Sequence, residues 1–262
     1  MSRPVYRSVT LGDYGSRVDG RCAAEEDDTV TWWAAKYARA VPRTLGRWVV
    51  VVVLATLGMV AAAVVSEPAA HAEVPDPVAI PTRSADRFTA LIAYSFGNRI
   101  PAGVDAKRQV GQPGPVNEAL AAAVVKARGS RSIPVYAQTE IAEVLAQRYH
   151  LPGVVEIPPD RNPDGTLKYL STDGVAAKVA SLRGSAARSD IVGVIAFADH
   201  QWRAVYTTRV NGLDAYAPAG VAMPATYDTR SGQSWTRSRV AYLPTDYAAR
   251  IALLPRLIGA RR

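Results

Sequence analysis

The segment "IVGVIAFADHQWRAVYTTRVNGLDAYAP", residues Ile191 to Pro218, contains three patterns in succession. Ile191–Phe197 is an apolar run rich in Val and Ile, which is typical of a buried strand. Residues 200–212 follow with a helical pattern that ends at an Asn-Gly pair. Leu213–Pro218 then has the pattern of a second short strand. Strand, helix and strand in this order predict a βαβ unit, which requires its two strands to be parallel.

The same alternation extends through the chain around this segment. Further strands are predicted at Phe88–Phe96, Ser132–Ala137 and Gly153–Ile157. Further helices are predicted at Asn117–Arg128, Thr139–His150 and Thr172–Gly184, and a closing helix from Thr245, broken or kinked at Pro255. The sequence therefore predicts an α/β domain over residues 84–262, with a doubly wound, mostly parallel sheet and helices on both faces.

A transmembrane helix is predicted ahead of this domain. Residues 48–65, "WVVVVVLATLGMVAAAVV", carry no charge and as a helix would span roughly 27 Å, close to the thickness of a bilayer core. Four Lys or Arg residues lie at 36–47, whereas Glu67, Glu73 and Asp76 follow the span. The positive-inside rule then places a mostly disordered tail, 1–47, in the cytoplasm. A Pro- and Ala-rich linker, 66–83, would lead to an extracytoplasmic domain.

An alternative is that the apolar segment is a signal peptide, cleaved after the Ala-His-Ala sequence that ends at Ala72. Either way the domain is exported. The single Cys22 lies before the span, so the exported part has no disulfide. The net charge is +8, of which +6 falls after residue 65. A positively charged exported surface is suited to bind anionic lipids or wall polymers, and nucleic acid is not expected on this side of a membrane. Alternatively, the positive charge only aids solubility.

In doubly wound sheets, ligands bind beyond the carboxyl ends of the strands, and this rule selects the candidate residues. His200 is one of three histidines in the chain, and Arg203 follows on the same helical face. Together they are suited to hold a phosphate or carboxylate, with His200 exchanging a proton near neutral pH. Alternatively, Asp199 only caps the helix and His200 lies at the surface.

Other candidates follow the remaining strands. Glu140 and Glu156 are placed to act as a base or to orient His200, although Glu140 is equally a common residue at a helix start. The remaining ligand-binding candidates are Ser95, Asn98, Gln138, Ser171, Thr172 and Asp199. For Ser171 and Thr172 the simplest role is helix capping, with phosphate contact as the other.

Several familiar chemistries have no motif here. The sequence contains no G-x-x-x-x-G-K-[ST], no G-x-G-x-x-G after the first strand and no G-x-S-x-G. There is also no H-E-x-x-H and no Cys/His cluster, so we expect no metal site. The sequence identifies no cofactor.

"YAQTEIAEVLAQRY" followed by "IAFADHQWRAVYTTRVNGLDAYAP" resembles the SanA/ElyC/YdcF-like family of bacterial envelope proteins over roughly Phe88 to Pro218. His200, Arg203 and Ala204 match the family's His-x-x-Arg-Ala helix. The other matching residues are Glu140, Glu156, Ser171 and Thr172. The chain departs from the pattern at Ser95-Phe96-Gly97, where the family is richer in Gly, and in the inserted "PPDRNPDGTLKYL" before Ser171.

The resemblance implies a membrane-anchored envelope protein linked to barrier function or to peptidoglycan or lipid-carrier metabolism. Two functions are compatible with these features. In the first, the domain binds or processes an anionic, phosphate-bearing envelope molecule, with His200 as acid, base or phosphate contact and Arg203 as anion clamp. In the alternative, the protein is a non-catalytic anchored interaction module that contacts wall polymer, membrane surface or another envelope protein.

Overall fold

The computed structural model describes residues 79–259, which form an α/β fold. Its six strands are β1 (Thr82–Ser84), β2 (Ala90–Ala93), β3 (Val135–Gln138), β4 (Val154–Ile157), β5 (Ile191–Ile195) and β6 (Asp214–Ala219). Its five α-helices are α1 (Gly114–Arg128), α2 (Thr139–Gln147), α3 (Thr172–Arg183), α4 (Gln201–Val210) and α5 (Arg239–Gly259). Every strand pair is parallel. The predicted α/β fold with a parallel sheet is therefore confirmed.

The strand order is β1-β6-β5-β2-β3-β4. Strands β3 and β4 follow β2 in order toward one edge of the sheet. The chain then crosses back, so that β5 pairs with the other side of β2 and β6 pairs with β5. Apart from β1, this is the order of a Rossmann-like sheet. The direction of winding reverses between β2 and β5, and a crevice opens at their carboxyl ends, where such sheets bind ligands.

Two apolar cores cover the sheet, one on each face. In β2, Leu91 and Ala93 face a core shared with α1 and α2, whereas Ala90 and Ile92 face a core shared with α3 and α4. All four side chains are at most 1% exposed. A strand buried on both faces needs apolar residues at every position, which is why it appears as an unbroken apolar run in the sequence.

The sheet begins earlier than the expected domain boundary. Thr82 and Arg83, at the end of the predicted linker, belong to β1 and pair with Ala217 and Pro218 of β6. The amide of Ala217 also donates to Pro81 O at 2.9 Å. A Pro-rich segment is already extended, and a proline is tolerated at the start of an edge strand, so this segment completes the open edge beside β6.

The closing helix also differs from its prediction. α5 begins at Arg239, six residues before Thr245, and continues through Pro244 and Pro255 to Gly259. Each proline removes one backbone hydrogen-bond donor. The buried Leu253 nevertheless packs against Trp202 and Tyr206 of α4 and holds the helix in place. This tertiary packing outweighs the local cost of the prolines, so the helix is not broken at Pro255.

Within residues 79–259, no helix has the length and apolar character needed to cross a membrane. The predicted transmembrane helix at 48–65, the tail at 1–47, the cleavage site near Ala72 and most of the linker lie outside the described residues.

Candidate functional site

A cavity of about 60 Å³ occupies the crevice between the carboxyl ends of β2 and β5. Its wall is formed by the segments after β2 and β5, the end of β3, the start of α3, the first turn of α4, a loop at 220–238 and the start of α5. The predicted site residues that contribute to the wall are Ser95, Gln138, Thr172, His200 and Arg203. The topology thus brings together five of the ten candidates.

His200 lies at the end of a single 3-10 turn between β5 and α4 and is only 4% exposed. Its Nε2 is 3.4 Å from Thr172 Oγ1. Its Nδ1 is 3.7 Å from Asp246 Oδ1 and has no hydrogen-bond partner. Burial, reinforced by the cation of Arg203, lowers the pKa of His200 to about 4. The ring is therefore neutral at pH 7, and it is not the surface histidine of the alternative interpretation.

Arg203 and Asp246 form the polar centre of the site. The guanidinium of Arg203 donates from Nε to Asp246 Oδ1 at 2.6 Å, from Nη1 to Thr172 Oγ1 at 2.9 Å and from Nη2 to Tyr242 Oη at 3.0 Å. Arg250 Nε donates to the other oxygen, Asp246 Oδ2, at 2.6 Å. One carboxylate is thus shared by two guanidinium groups. The cluster keeps one excess positive charge while His200 is neutral.

Both members of the central ion pair are ionised at neutral pH. Burial acts to raise the pKa of Asp246, but its contacts with His200 and Arg203 hold that pKa well below its usual range. Burial acts to lower the pKa of Arg203, but Tyr242 and Asp246 raise it above its usual range. Asp246 has no exposed surface, so its charge depends on these partners and on Arg250, which donates to its other oxygen.

The imidazole of His200 lies between the carboxylate of Asp246 and the hydroxyl of Thr172, with one ring nitrogen near each. Because Arg203 occupies the Thr172 oxygen as a donor, the Thr172 proton is available to His200 Nε2, and Nδ1 then carries its proton toward Asp246. This order is the one that activates a hydroxyl in nucleophilic catalysis. The 3.7 and 3.4 Å separations exceed those of a formed relay. Proton transfer would therefore require the three groups to close by a few tenths of an ångström.

A second polar group borders the cavity after β2 and β3. The amide of Ser95 donates to Gln138 Oε1 at 2.9 Å. Glu140 is 9% exposed behind Ser95 and outside the cavity wall. Burial raises the pKa of Glu140, although its own backbone amide and hydrogen bonds from Ser95 and Asn98 oppose the shift. Asn98 likewise contacts Glu140 and does not line the cavity.

Glu156 and Ser171 do not line the cavity. Glu156 is exposed on the edge strand β4 and accepts a hydrogen bond from Thr139 Oγ1 at 2.7 Å. Ser171 Oγ accepts from the amide of Gly174 at 3.1 Å and so caps α3. The capping interpretation therefore describes Ser171, whereas its neighbour Thr172 faces the cavity.

Asp199 does not cap α4 with its side chain. Its carboxylate instead accepts from Tyr227 Oη at 2.8 Å and pairs with Arg239 Nε at 3.1 Å. These contacts tie the loop at 220–238 and the start of α5 to the end of β5. Asp199 supports the wall of the site from behind.

The loop at 220–238 crosses the carboxyl edge of the sheet. Ala198 N donates to Pro224 O at 2.9 Å, and Gly232 N donates to Asn98 O at 2.7 Å. The loop therefore contacts the segments after both β5 and β2, on the two sides of the crevice. Three residues of the loop, Gln233, Trp235 and Thr236, line the cavity.

Sequence reasoning missed most of the other residues of the site, among them Tyr169, Gln233, Trp235, Thr236, Tyr242 and Asp246. For Asp246 a local signal existed, because Arg250 lies four residues later on the same helical face. Nothing local indicated that this pair is buried against Arg203 of α4.

The described residues contain no group of three His, Cys, Asp or Glu side chains able to hold a metal ion. No protein-family model matches the chain, and no curated protein matches it. The fold and the cavity define a Rossmann-like α/β protein with a polar site at the point where its sheet reverses direction.

Proposed function

We propose that the chain is a single-pass, membrane-anchored envelope protein whose α/β domain binds an anionic, phosphate-bearing envelope molecule. The setting would be envelope barrier function or peptidoglycan or lipid-carrier metabolism. One observation carries the proposal: the described residues that line the cavity include the cation of Arg203 and no carboxylate. Asp246 lies behind the wall and is already shared between Arg203 and Arg250.

Arg203 retains donors for a ligand. A guanidinium has five N–H groups, and one on each nitrogen is used by Asp246, Thr172 and Tyr242. One N–H remains on each Nη, which is the arrangement that grips two phosphate oxygens. Thr172 is the first residue of α3, a helix of 12 residues, and lines the cavity, so the positive end of the helix dipole lies close to the site.

His200 is suited to contact the same ligand. A neutral imidazole beside Arg203 accepts a hydrogen bond from a protonated phosphate oxygen at Nε2, in place of Thr172. If a ligand draws Asp246, His200 and Thr172 together, His200 also serves as the acid or base. Binding requires only the first role, and processing requires both.

Membrane anchoring is supported by the uncharged segment at 48–65, the charge difference across it and the resemblance to envelope proteins. We expect alkaline phosphatase fused after Arg262 to be active in cells, because this enzyme folds only where disulfides form. Removal of residues 48–65 should abolish that activity and release the protein into the cytoplasm. An inactive fusion with the intact segment, at equal expression, would overturn the proposed topology.

Anion binding can be measured on the purified chain in detergent micelles. Inorganic phosphate at a hundred times its dissociation constant should stabilise the chain by about 2.7 kcal/mol. Arg203→Gln should weaken phosphate binding tenfold or more, because a hydrogen bond to a charged group contributes roughly 1.5–3 kcal/mol. Arg203→Lys should retain part of the affinity, since it keeps the charge and loses the forked geometry.

The matched control is Arg188→Gln, which removes one exposed positive charge away from the cavity. Its affinity for phosphate should equal that of the wild type. Equal losses in both Gln variants would show only a general effect of net charge, and an unchanged affinity in Arg203→Gln would reject the cavity as the site.

A second candidate function is the anchored interaction module. The observation that favours it is a row of exposed apolar side chains on α5: Val240, Tyr247, Ile251, Leu254 and Ile258. A folded chain that binds no phosphate would favour this function over the first.

A further inference from the structure

Two aromatic residues stand at the mouth of the cavity. Tyr169 comes from the segment before α3 and is 52% exposed, and Trp235 comes from the loop at 220–238. Their ring centroids are 6.4 Å apart and their planes meet at 76°. Segments more than sixty residues apart in sequence thus place two rings beside one opening. Exposed aromatic surface beside a polar cavity indicates a ligand with a large apolar face.

The cavity wall also carries uncharged polar side chains besides this aromatic pair and Arg203. Gln138 and Gln233 contribute amides and Ser95 contributes a hydroxyl. The buried hydroxyl of Thr236 is bonded within its own loop, to Gln233 O at 2.9 Å and to Ser231 Oγ at 2.7 Å. Amide and hydroxyl groups both donate and accept hydrogen bonds, which matches a ligand that carries several hydroxyl groups. A bare phosphate bound at Arg203 would not make use of these amides or of the exposed surface of Tyr169.

We propose that the site takes a sugar phosphate, an inference that rests on the proposed binding of a phosphate-bearing molecule. The phosphate lies in the cavity against Arg203 and Thr172. The cavity, at about 60 Å³, accommodates a group of phosphate size, so the sugar ring remains at the mouth. There its C–H face packs on Tyr169 or Trp235 while its hydroxyl groups reach the amides.

The angle between the two rings favours a sugar over a nucleobase. A flat base gains most when it stacks on one ring or lies between two parallel rings. At 76° the two rings form a corner, so a flat base can stack on one of them but cannot lie parallel to both. A puckered pyranose presents C–H groups on its face and along its edge, so it contacts both sides of the corner.

Calorimetric titration of the full chain in detergent micelles tests the inference with four compounds at one ionic strength. They are N-acetylglucosamine 1-phosphate, inorganic phosphate, N-acetylglucosamine and uridine 5′-monophosphate. We expect the sugar phosphate to bind about tenfold more tightly than inorganic phosphate. The free sugar should bind most weakly, because it lacks the group that Arg203 holds.

Tyr169→Ala should remove the tenfold advantage of the sugar phosphate and leave the affinity for inorganic phosphate unchanged. Tyr169→Phe should restore the advantage, since the ring face is kept. Tyr247→Ala is the matched control: Tyr247 is 53% exposed on α5 and does not line the cavity, so both affinities should stay at their wild-type values.

The outcomes separate the two proposals. Equal affinities for phosphate and sugar phosphate, or no effect of Tyr169→Ala, would overturn the sugar and leave the phosphate site in place. Tighter binding of uridine 5′-monophosphate would replace the sugar with a nucleobase. Failure of every anion to bind the folded chain would overturn both proposals together.

Discussion

Replacement of Asp246 by asparagine should lower the free energy of unfolding by roughly 3–5 kcal/mol, the cost of removing one partner from a buried ion pair. Asp246 has no exposed surface and bonds to Arg203 and Arg250 at 2.6 Å each. Asparagine keeps the shape but carries no charge. The two guanidinium groups would then face each other across a neutral amide, with no carboxylate between them.

Urea unfolding followed by tryptophan fluorescence measures this loss, because Trp202 is buried on α4 in the fold. The control is Asp160→Asn, which also breaks a carboxylate–cation pair, to Lys178 at 2.7 Å, but at an exposed position. Exposed pairs contribute little to stability, so the control should remain close to the wild type. Similar losses in both variants would show that the buried cluster has no special role in stability.

The same substitution has a second expected effect, on the site. Asp246 Oδ1 fixes Arg203 through Nε, and only the two Nη groups face Thr172 and Tyr242. Without that anchor the guanidinium loses its fixed orientation. Phosphate affinity should therefore fall in Asp246→Asn, even though the loss of a carboxylate makes the net charge of the variant one unit more positive. A simple charge effect would have the opposite sign.

The fold was accessible from the sequence because its signals are local. The apolar runs of β2 and β5 and the positions that end α1 and α3 each depend on residues close in sequence. Gly129 and Gly184, for example, follow these helices with φ of 59° and 53°, a conformation that glycine adopts without strain. Because ligands in such sheets bind beyond the carboxyl ends of the strands, the predicted strands also indicated His200 and Arg203 as site residues.

The remainder depends on contacts between distant segments, which local patterns do not encode. Asp246 lies 43 residues from Arg203 in sequence, and only the packing of α5 against α4 brings the two together. β1 was missed for the same reason, since three extended residues after a proline have no strand signal until β6 offers a partner. Glu156 met the rule for ligand position but lies on an edge strand, away from the reversal point.

The second large effect should appear in the pH dependence of stability. The pKa of His200 is about 4 in the folded protein and 6.5 in an ordinary environment. Between these values the unfolded chain binds a proton that the folded chain does not, so stability rises with pH across this window. Acidification from pH 7 to pH 4 should therefore cost roughly 3 kcal/mol through this one residue.

His200→Gln provides the comparison, because glutamine is polar and stays neutral over this range. The free energies of unfolding of the wild type and the variant are measured by urea titration at several pH values from 7 to 4. The difference between the two proteins should change by roughly 3 kcal/mol over this range. His150→Gln, at an exposed position after α2, should show the wild-type pH dependence. A constant difference between the wild type and His200→Gln would mean that His200 is not buried in its neutral form.

The difference between the two proteins is needed because the raised pKa of Glu140 changes stability with the opposite sign. Burial raises the pKa of Glu140, so its contribution favours the folded state at low pH and is lost as the pH rises through that pKa. The wild-type curve alone therefore combines a loss from His200 with a gain from Glu140 on acidification. Glu140 is present in both proteins and cancels in their difference, which leaves the contribution of His200.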